Sequence, residues 1–228
     1  MIKFFRCIAW SVLLISIGAE AQNPQPDFSQ FVPAVYKITD KIYGDLNKDG
    51  LEDCVLLIKG TEKGLLVKNE YQEELDHNRR GIIVLFKKEK GYQLVFKNYD
   101  CFSSGNEDGG IYIAPELSIG INKGNLYFHY AHGRYGYWRY TLRYRNADFE
   151  LIGYDDSDNQ GPVVNSEMSI NFLTKKKKVR TNVNRDAEAG EEVFEEEWSD
   201  VKVRKLKKLS EIDNFNDPYE LIYKGLSK

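Results

Sequence analysis

The chain has 228 residues, with 32 basic and 35 acidic side chains and a formal charge of −3. This length suits one sizeable domain with appendages. Nucleic-acid-binding proteins usually carry a basic excess, so the charge balance argues against a nucleic acid as partner. The basic cluster at residues 175–178 lies between two strand-like stretches and is interpreted as a solvated hairpin turn.

The N-terminus has the layout of a secretory signal peptide. A basic start at residues 1–6 precedes an apolar run at residues 7–18, and residues 19–21 form a small-x-small cleavage pattern. The apolar run is shorter than the roughly 20 residues that a bilayer crossing needs. We therefore expect an exported, periplasmic or extracellular protein whose mature chain starts near Gln22 without a transmembrane segment. A retained membrane anchor is the alternative.

The mature chain would keep two cysteines, Cys54 and Cys101. In an oxidising compartment two thiols can pair. A Cys54–Cys101 disulfide would close a long loop, which is worth on the order of 4 kcal/mol in the chain-entropy model. The alternative is a pair of buried, unpaired thiols.

The sequence divides into three regions after the cleavage pattern. Residues 22–34 carry three prolines and predict an extended leader, and residues 35–209 predict the β domain. Residues 210–228 form a C-terminal tail with a candidate short helix. Within the β domain, residues 69–77 fit a short surface helix or part of a mobile insertion.

Strand patterns dominate the β domain. Residues 117–154 alternate between apolar and polar side chains, as antiparallel strands with one wet face do. Residues 54–58 are apolar throughout, which is typical of a strand buried on both faces. Residues 89–91 separate two strand-like runs and predict a hairpin. We predict a mainly β fold, either an antiparallel meander or sandwich or a partial-propeller-like sheet, with few short helices. Residues 201–206 are predicted to continue the meander.

Oxygen-bearing residues recur at alternate positions of the loop at residues 45–53. Calcium takes six to eight oxygen ligands at about 2.3–2.6 Å, and Gly50 permits the sharp turn that wrapping an ion requires. An EF-hand would have a bidentate glutamate where Leu56 stands, so we expect a calcium site between two strands, with a dissociation constant of about 10⁻⁴–10⁻³ M. The alternatives are an acidic turn without an ion and, if calcium binds, a purely structural role. The predicted ligands are the side chains of Asp45, Asn47, Asp49 and Asp53 and the carbonyl oxygen of Leu51.

Residues 43–53, followed by the apolar run at 55–58, resemble the calcium loop of FG-GAP or VCBS-type repeats, known from integrin α-subunit propellers. Those propellers repeat the loop, whereas this chain has it once. The wider layout resembles a group of small, uncharacterised exported bacterial proteins with a single loop of this type. The resemblance covers roughly residues 40–180 and rests on further segments at residues 80–86, 108–110, 129–139, 149–155 and 169–174. It implies a fold and a calcium site but no activity.

A second candidate site is an aromatic and basic stretch near a turn. It would present a polar patch with stacking rings, suited to an acidic or sugar ligand. The alternative is an aromatic hairpin whose polar tips reach water or the backbone. The candidate residues are His129, His132, Arg134, Tyr135, Tyr137 and Trp138.

No catalytic residue is predicted, because no triad motif or phosphate-binding glycine loop is found in the sequence. The leading hypothesis is an exported calcium-binding β domain that acts as a non-enzymatic binding or envelope-associated module, with a glycan or envelope component as candidate partner. The alternative is a hydrolase of unrecognised type with a site near His129 and His132. A protein partner bound at a sheet edge is a third hypothesis.

Overall fold

A computed structural model describes residues 26–109 and 113–224. The predicted signal peptide, the expected mature N-terminus at Gln22 and the last four residues of the tail lie outside the described residues. The strands within the described residues, in chain order, are β1 (Tyr36–Gly44), β2 (Asp53–Gly60), β3 (Leu66–Lys68), β4 (Glu74–Asp76), β5 (Arg80–Lys88), β6 (Gly91–Phe102), β7 (Glu116–Asn122), β8 (Asn125–Ala131), β9 (Gly136–Arg145), β10 (Asp148–Gln160), β11 (Val163–Asn171), β12 (Lys176–Asn182) and β13 (Phe194–Asp200).

Two antiparallel sheets contain most of these strands. The first has four strands in the order β1-β2-β5-β6, and the second has seven in the order β13-β12-β11-β10-β9-β8-β7. The second sheet is an uninterrupted meander, in which each strand pairs with its neighbours in sequence. The sequence showed the alternation of apolar and polar side chains in part of this sheet, at residues 117–154. In agreement with that alternation, Leu126 of β8 lies opposite Leu142 of β9. The predicted mainly β, antiparallel fold is confirmed.

The two sheets pack face to face around one shared core. Phe86 of β5 meets Tyr144 of β9 edge-on at 4.7 Å, and Phe102 of β6 meets Phe128 of β8 at 5.1 Å. Sheets that bury one face against each other in this way form a β sandwich. The architecture is therefore the sandwich rather than the partial propeller among the alternatives that the sequence left open.

The four-stranded sheet also has a small second core on its outer face. Cys54, Leu56 and Ile58 of β2 point there, and Phe28 from the leader covers them with 2 % of its surface exposed. Strand β2 is thus buried on both faces, which explains its continuous apolar run. The described part of the leader is not simply extended, because Ser29–Phe31 forms a 3₁₀ turn beside Phe28.

The structure differs from two local expectations. Of the two alternatives for residues 69–77, the short helix is wrong, since β3 and β4 form a small hairpin there. The strand predicted at residues 201–206 is also wrong, because this segment is irregular. In the tail, the candidate helix is reduced to single turns, a 3₁₀ turn at Leu209–Glu211 and a π-helical turn at Tyr219–Tyr223.

The candidate disulfide between Cys54 and Cys101 is absent, and both cysteines are free and buried. Cys54 belongs to the outer core of the four-stranded sheet, whereas Cys101 belongs to the core between the sheets. Cys54 lies across from Leu85, which pairs with Leu94, about 20 Å along β6 from Cys101. A disulfide needs Cα atoms within about 7 Å, so these thiols cannot pair in this fold. Burial raises the pKa of the Cys54 thiol to about 12.

Among the described residues, no helix combines the length and the apolar character that a bilayer crossing requires.

The shared core predicts a large cost for truncating Phe128. Its ring is fully buried and contacts Phe102 and Phe215, at 5.1 and 4.8 Å between centroids. Phe128→Ala should lower the free energy of unfolding by about 3–5 kcal/mol in urea denaturation, because it leaves a cavity. Leu94→Ala, at a position 38 % exposed, is the control and should cost less than about 1 kcal/mol. Similar costs for both would contradict the assignment of the core.

Candidate metal site and candidate ligand face

The candidate calcium loop connects β1 to β2 and is held at its end by Asp53. This carboxylate is fully buried, with Oδ2 accepting a hydrogen bond from the Leu46 backbone N–H at 2.8 Å. Its Oδ1 accepts one from the backbone N–H of Lys87 in β5 at 3.0 Å. Burial raises the pKa of Asp53, and the two backbone hydrogen bonds act in the opposite direction. Asp53 therefore joins the loop to a neighbouring strand.

Asp45 shapes the turn at the centre of the loop. Its Oδ1 accepts a hydrogen bond from the Lys48 N–H at 2.6 Å, and its Oδ2 accepts one from the Gly50 N–H at 2.9 Å. Lys48 and Gly50 have φ angles of 64° and 83°. This left-handed backbone favours glycine, which agrees with the role that the sequence predicted for Gly50.

Asn47 and Asp49 continue the same winding. The Asn47 side-chain amide donates to Asp49 Oδ2 at 2.9 Å, and Asp49 Oδ1 accepts from the Leu51 N–H at 2.9 Å. The backbone hydrogen bond from Leu51 and the one from Asn47 lower the pKa of Asp49. Lys88 Nζ lies 3.9 Å from Asp49 Oδ2 and adds a positive charge nearby. Asp49 is thus ionised at neutral pH and exposed at the outer side of the loop.

The donor chemistry of this loop fits a calcium ion. All the predicted ligands are oxygen atoms, and a carboxylate has about four lone-pair positions, of which Asp45 and Asp53 each use two for backbone N–H groups. Spare lone pairs remain on each. Across residues 26–109 and 113–224, however, no three His, Cys, Asp or Glu side chains are grouped closely enough to hold a metal. Binding would therefore require the side-chain ends to converge within the loop.

The loop also contacts the opposite sheet. A Cβ atom added to Gly44 would lie 2.6 Å from Ile121 Cγ2 in β7, and one added to Gly124 would lie 2.7 Å from Lys48 Cε. Leu46, at 1 % exposure, enters the core shared by the two sheets. The conformation of the loop is thus coupled to the packing of the sandwich.

The structure does not bring the candidate ligand-face residues together. The His129 ring contacts the Tyr137 ring at 5.2 Å, in a tilted arrangement, on the outer face of the seven-stranded sheet. Trp138 follows Tyr137 in β9, so it lies on the opposite face of the sheet. There it stacks on Tyr130 of the shared core at 4.8 Å. The predicted single patch is wrong, because consecutive residues of a strand point to opposite faces.

The remaining members of that set lie at the turn between β8 and β9. The His132 ring contacts the Tyr135 ring at 5.1 Å in a tilted arrangement, and the backbone carbonyl of Arg134 accepts a hydrogen bond from the Gly161 N–H at 3.0 Å. His129 and His132 therefore contact different tyrosines. Burial and the charge of Arg139 lower the pKa of His129, and no carboxylate among the described residues forms a hydrogen bond with it. The described contacts of His129 therefore do not support the hydrolase hypothesis.

The outer face of the seven-stranded sheet is the feature that the sequence interpretation missed as a unit. Arg139 forms an ion pair with Asp155 at 2.9 Å, and Asp155 accepts a hydrogen bond from Ser169 at 2.7 Å. Farther along, Arg180 lies over Phe194 at 4.2 Å and Lys178 over Trp198 at 5.7 Å. We call this surface, which extends from Tyr127 to Trp198, the outer polar face. In the sequence, the arginines that alternate with apolar residues along β9 indicated this surface.

The outer polar face includes a shallow depression of about 500 Å³ over β7, β8 and β9. Tyr127, His129 and Arg139 line it together with residues 118–122. The Arg139 guanidinium lies 5.7 Å from the Tyr127 ring centroid. The depression thus offers an aromatic surface beside a positive charge.

Comparison of the chain with protein-family models, curated proteins and solved structures finds no match. The resemblance to single-loop FG-GAP or VCBS-type proteins therefore stays an interpretation of the residues themselves.

The two hydrogen bonds of Asp53 predict a large cost for its removal. Asp53→Ala would leave the N–H groups of Leu46 and Lys87 without their partner. An unsatisfied buried group costs about 1–3 kcal/mol, so the free energy of unfolding should fall by about 3 kcal/mol or more. Thermal and urea denaturation without calcium would measure it. The matched control, Asp200→Ala, removes an exposed pair with Lys176 and should cost about 1 kcal/mol or less. Equal losses would contradict the role of Asp53.

Proposed function

We propose that this chain is an exported calcium-binding β sandwich that acts as a binding module for an envelope component, with a glycan as the leading ligand class. The observation that carries the proposal is the loop at residues 45–53, in which oxygen donors alternate around a left-handed turn at Gly50. The N-terminal layout of the sequence supports export. The outer polar face supports binding.

The proposed ion has a stabilising role. Asp45, Asp49 and Asp53 carry three carboxylates within nine residues, and their mutual repulsion falls when a divalent cation lies between them. The side chain of Asn47 and the carbonyl of Leu51 complete the donor set. Because Leu46 belongs to the shared core, ordering the loop stabilises the contact between the sheets.

The proposed ligand surface is the outer polar face. It combines exposed aromatic rings, such as Trp198 at 63 % exposure, with arginines and hydrogen-bonding side chains. Aromatic residues and arginine are enriched at recognition surfaces because they offer large contact area together with polar groups. A sugar needs this combination, since it has apolar ring faces and hydroxyls at its edge.

Calcium should raise the thermal stability of the wild-type chain. At 10 mM calcium and a dissociation constant of about 10⁻⁴–10⁻³ M, mass action gives about 1.4–2.7 kcal/mol. For a chain of this size the melting temperature should rise by about 3–10 °C relative to chelator. Differential scanning fluorimetry of wild type and Asp49→Ala would measure the effect.

The Asp49→Ala variant should lose most of this calcium-dependent rise. Asp213→Ala, a change at an exposed carboxylate outside the loop, should keep it, and magnesium should give a smaller shift in the wild type because it demands stricter geometry. Equal calcium-dependent rises in the melting temperature of wild type and Asp49→Ala would contradict the proposed calcium site.

The outer polar face predicts a binding phenotype. On an array of bacterial envelope glycans, the wild-type protein should bind a subset of the glycans. Trp198→Ala and Arg139→Ala should each weaken that binding by about tenfold, which corresponds to about 1.4 kcal/mol. Tyr71→Ala, at a position 75 % exposed and outside both large sheets, is the control and should bind as the wild type does. Absence of binding to every glycan and to envelope extracts would contradict the proposed ligand class.

A further inference from the structure

A cavity of about 520 Å³ lies between the start of β10, the irregular segment at residues 202–207 and the π-helical turn Tyr219–Tyr223. Two backbone hydrogen bonds fix the ends of the segment. The Val201 N–H donates to Lys175 O at 2.9 Å, and the Leu151 N–H donates to Lys207 O at 2.8 Å. Between these two anchors the segment does not pair as a strand, and the cavity lies beneath it.

The interior of the cavity is apolar. Its size falls within the 300–1,000 Å³ typical of small-molecule sites. Leu151, Leu221 and Ile222 form its buried base. Half-buried side chains form the walls, namely Phe172, Val203 and Leu206. An ion without an apolar part would lose its hydration here and gain nothing in return, so the interior selects against free phosphate and other small ions.

The rim of the cavity is basic. Lys202, Arg204, Lys205 and Lys207 come from the covering segment, and only Lys205 forms an ion pair within the described residues, with Glu211. A basic rim favours an anionic head and disfavours a cationic one.

Lys207 is a basic group of the rim that is bonded to the base of the cavity. The residue as a whole is exposed, and its ammonium group donates a hydrogen bond to the Leu221 carbonyl at 2.7 Å. Partial desolvation lowers the pKa of Lys207, while the charge of Glu220 acts in the opposite direction. This ammonium has a backbone carbonyl as its partner rather than a carboxylate, so an incoming anion would complete its pairing.

We propose that this cavity binds a fatty acid, with the alkyl chain against Leu151, Leu221 and Ile222 and the carboxylate at Lys207 and Arg204. The apolar interior supplies affinity through chain burial, and the basic rim supplies selectivity for the charged head. The site is separate from the calcium loop and from the outer polar face, so the inference does not depend on either of them.

The test is titration calorimetry of the full chain with saturated fatty acids below their micelle concentrations. One ligand should bind per chain. From octanoate to dodecanoate, affinity should rise about fourfold for each added methylene, which is the fold-change for burying one CH₂. Dodecanol and dodecyltrimethylammonium should bind at least tenfold more weakly than dodecanoate, because neither pairs with the rim.

Variants separate the two parts of the site. Lys207→Gln should weaken dodecanoate binding by about tenfold and leave dodecanol binding unchanged. Lys90→Gln, a matched change at an exposed hairpin lysine, should alter neither. Val203→Asp should weaken both ligands, with circular dichroism to verify the fold.

Three results would overturn the proposal. They are absence of dodecanoate binding to the folded wild type, equal affinity for dodecanoate and dodecanol, and dodecanoate binding that is unchanged in Lys207→Gln.

Discussion

The buried carboxylate of Asp53 is the interaction on which the loop and the sandwich both depend. It accepts backbone hydrogen bonds from Leu46 in the loop and from Lys87 at the end of β5. Leu46 in turn fills part of the core between the sheets. A buried carboxylate needs hydrogen-bond donors around it, so the two backbone N–H groups at Asp53 fix the path of the loop. Calcium, in our proposal, acts on a loop that is already tied to the core.

This arrangement explains why a surface ion would affect the whole domain. Gly44 allows the loop to approach the β7–β8 hairpin closely, since any larger side chain would collide with Ile121. In our proposal, repulsion among Asp45, Asp49 and Asp53 would weaken this approach, and an ion that neutralises the repulsion would stabilise the contact between the loop and the hairpin.

The sequence predicted the fold well where one face of a strand is wet and the other dry. The alternation at residues 117–154 became four strands of a meander, and the apolar run at 54–58 became a strand covered on both faces. Relations that depend on the order of strands in a sheet could not be predicted from the sequence. Cys54 and Cys101 lie on different faces and at different ends of one sheet, and neighbouring residues such as Tyr137 and Trp138 point in opposite directions. The composition of a stretch does not encode these relations.

The sequence of residues 201–206 predicted a strand. The segment is irregular instead because the two sheets have different numbers of strands. Seven strands face four, and at about 4.8 Å per strand roughly 14 Å of the larger sheet extends beyond the smaller one. Strand β13 can extend beyond the smaller sheet because its inner face carries the exposed side chains of Glu195 and Glu197. Leu151 and Ile170, by contrast, are apolar and must be buried. Irregular chain from residue 201 to the turn at Tyr219–Tyr223 provides that cover with the buried side chains of Leu209, Ile212, Phe215 and Ile222. Irregular backbone packs less closely on a sheet than a second sheet does, and the apolar cavity beneath residues 202–207 is the consequence of this imperfect cover.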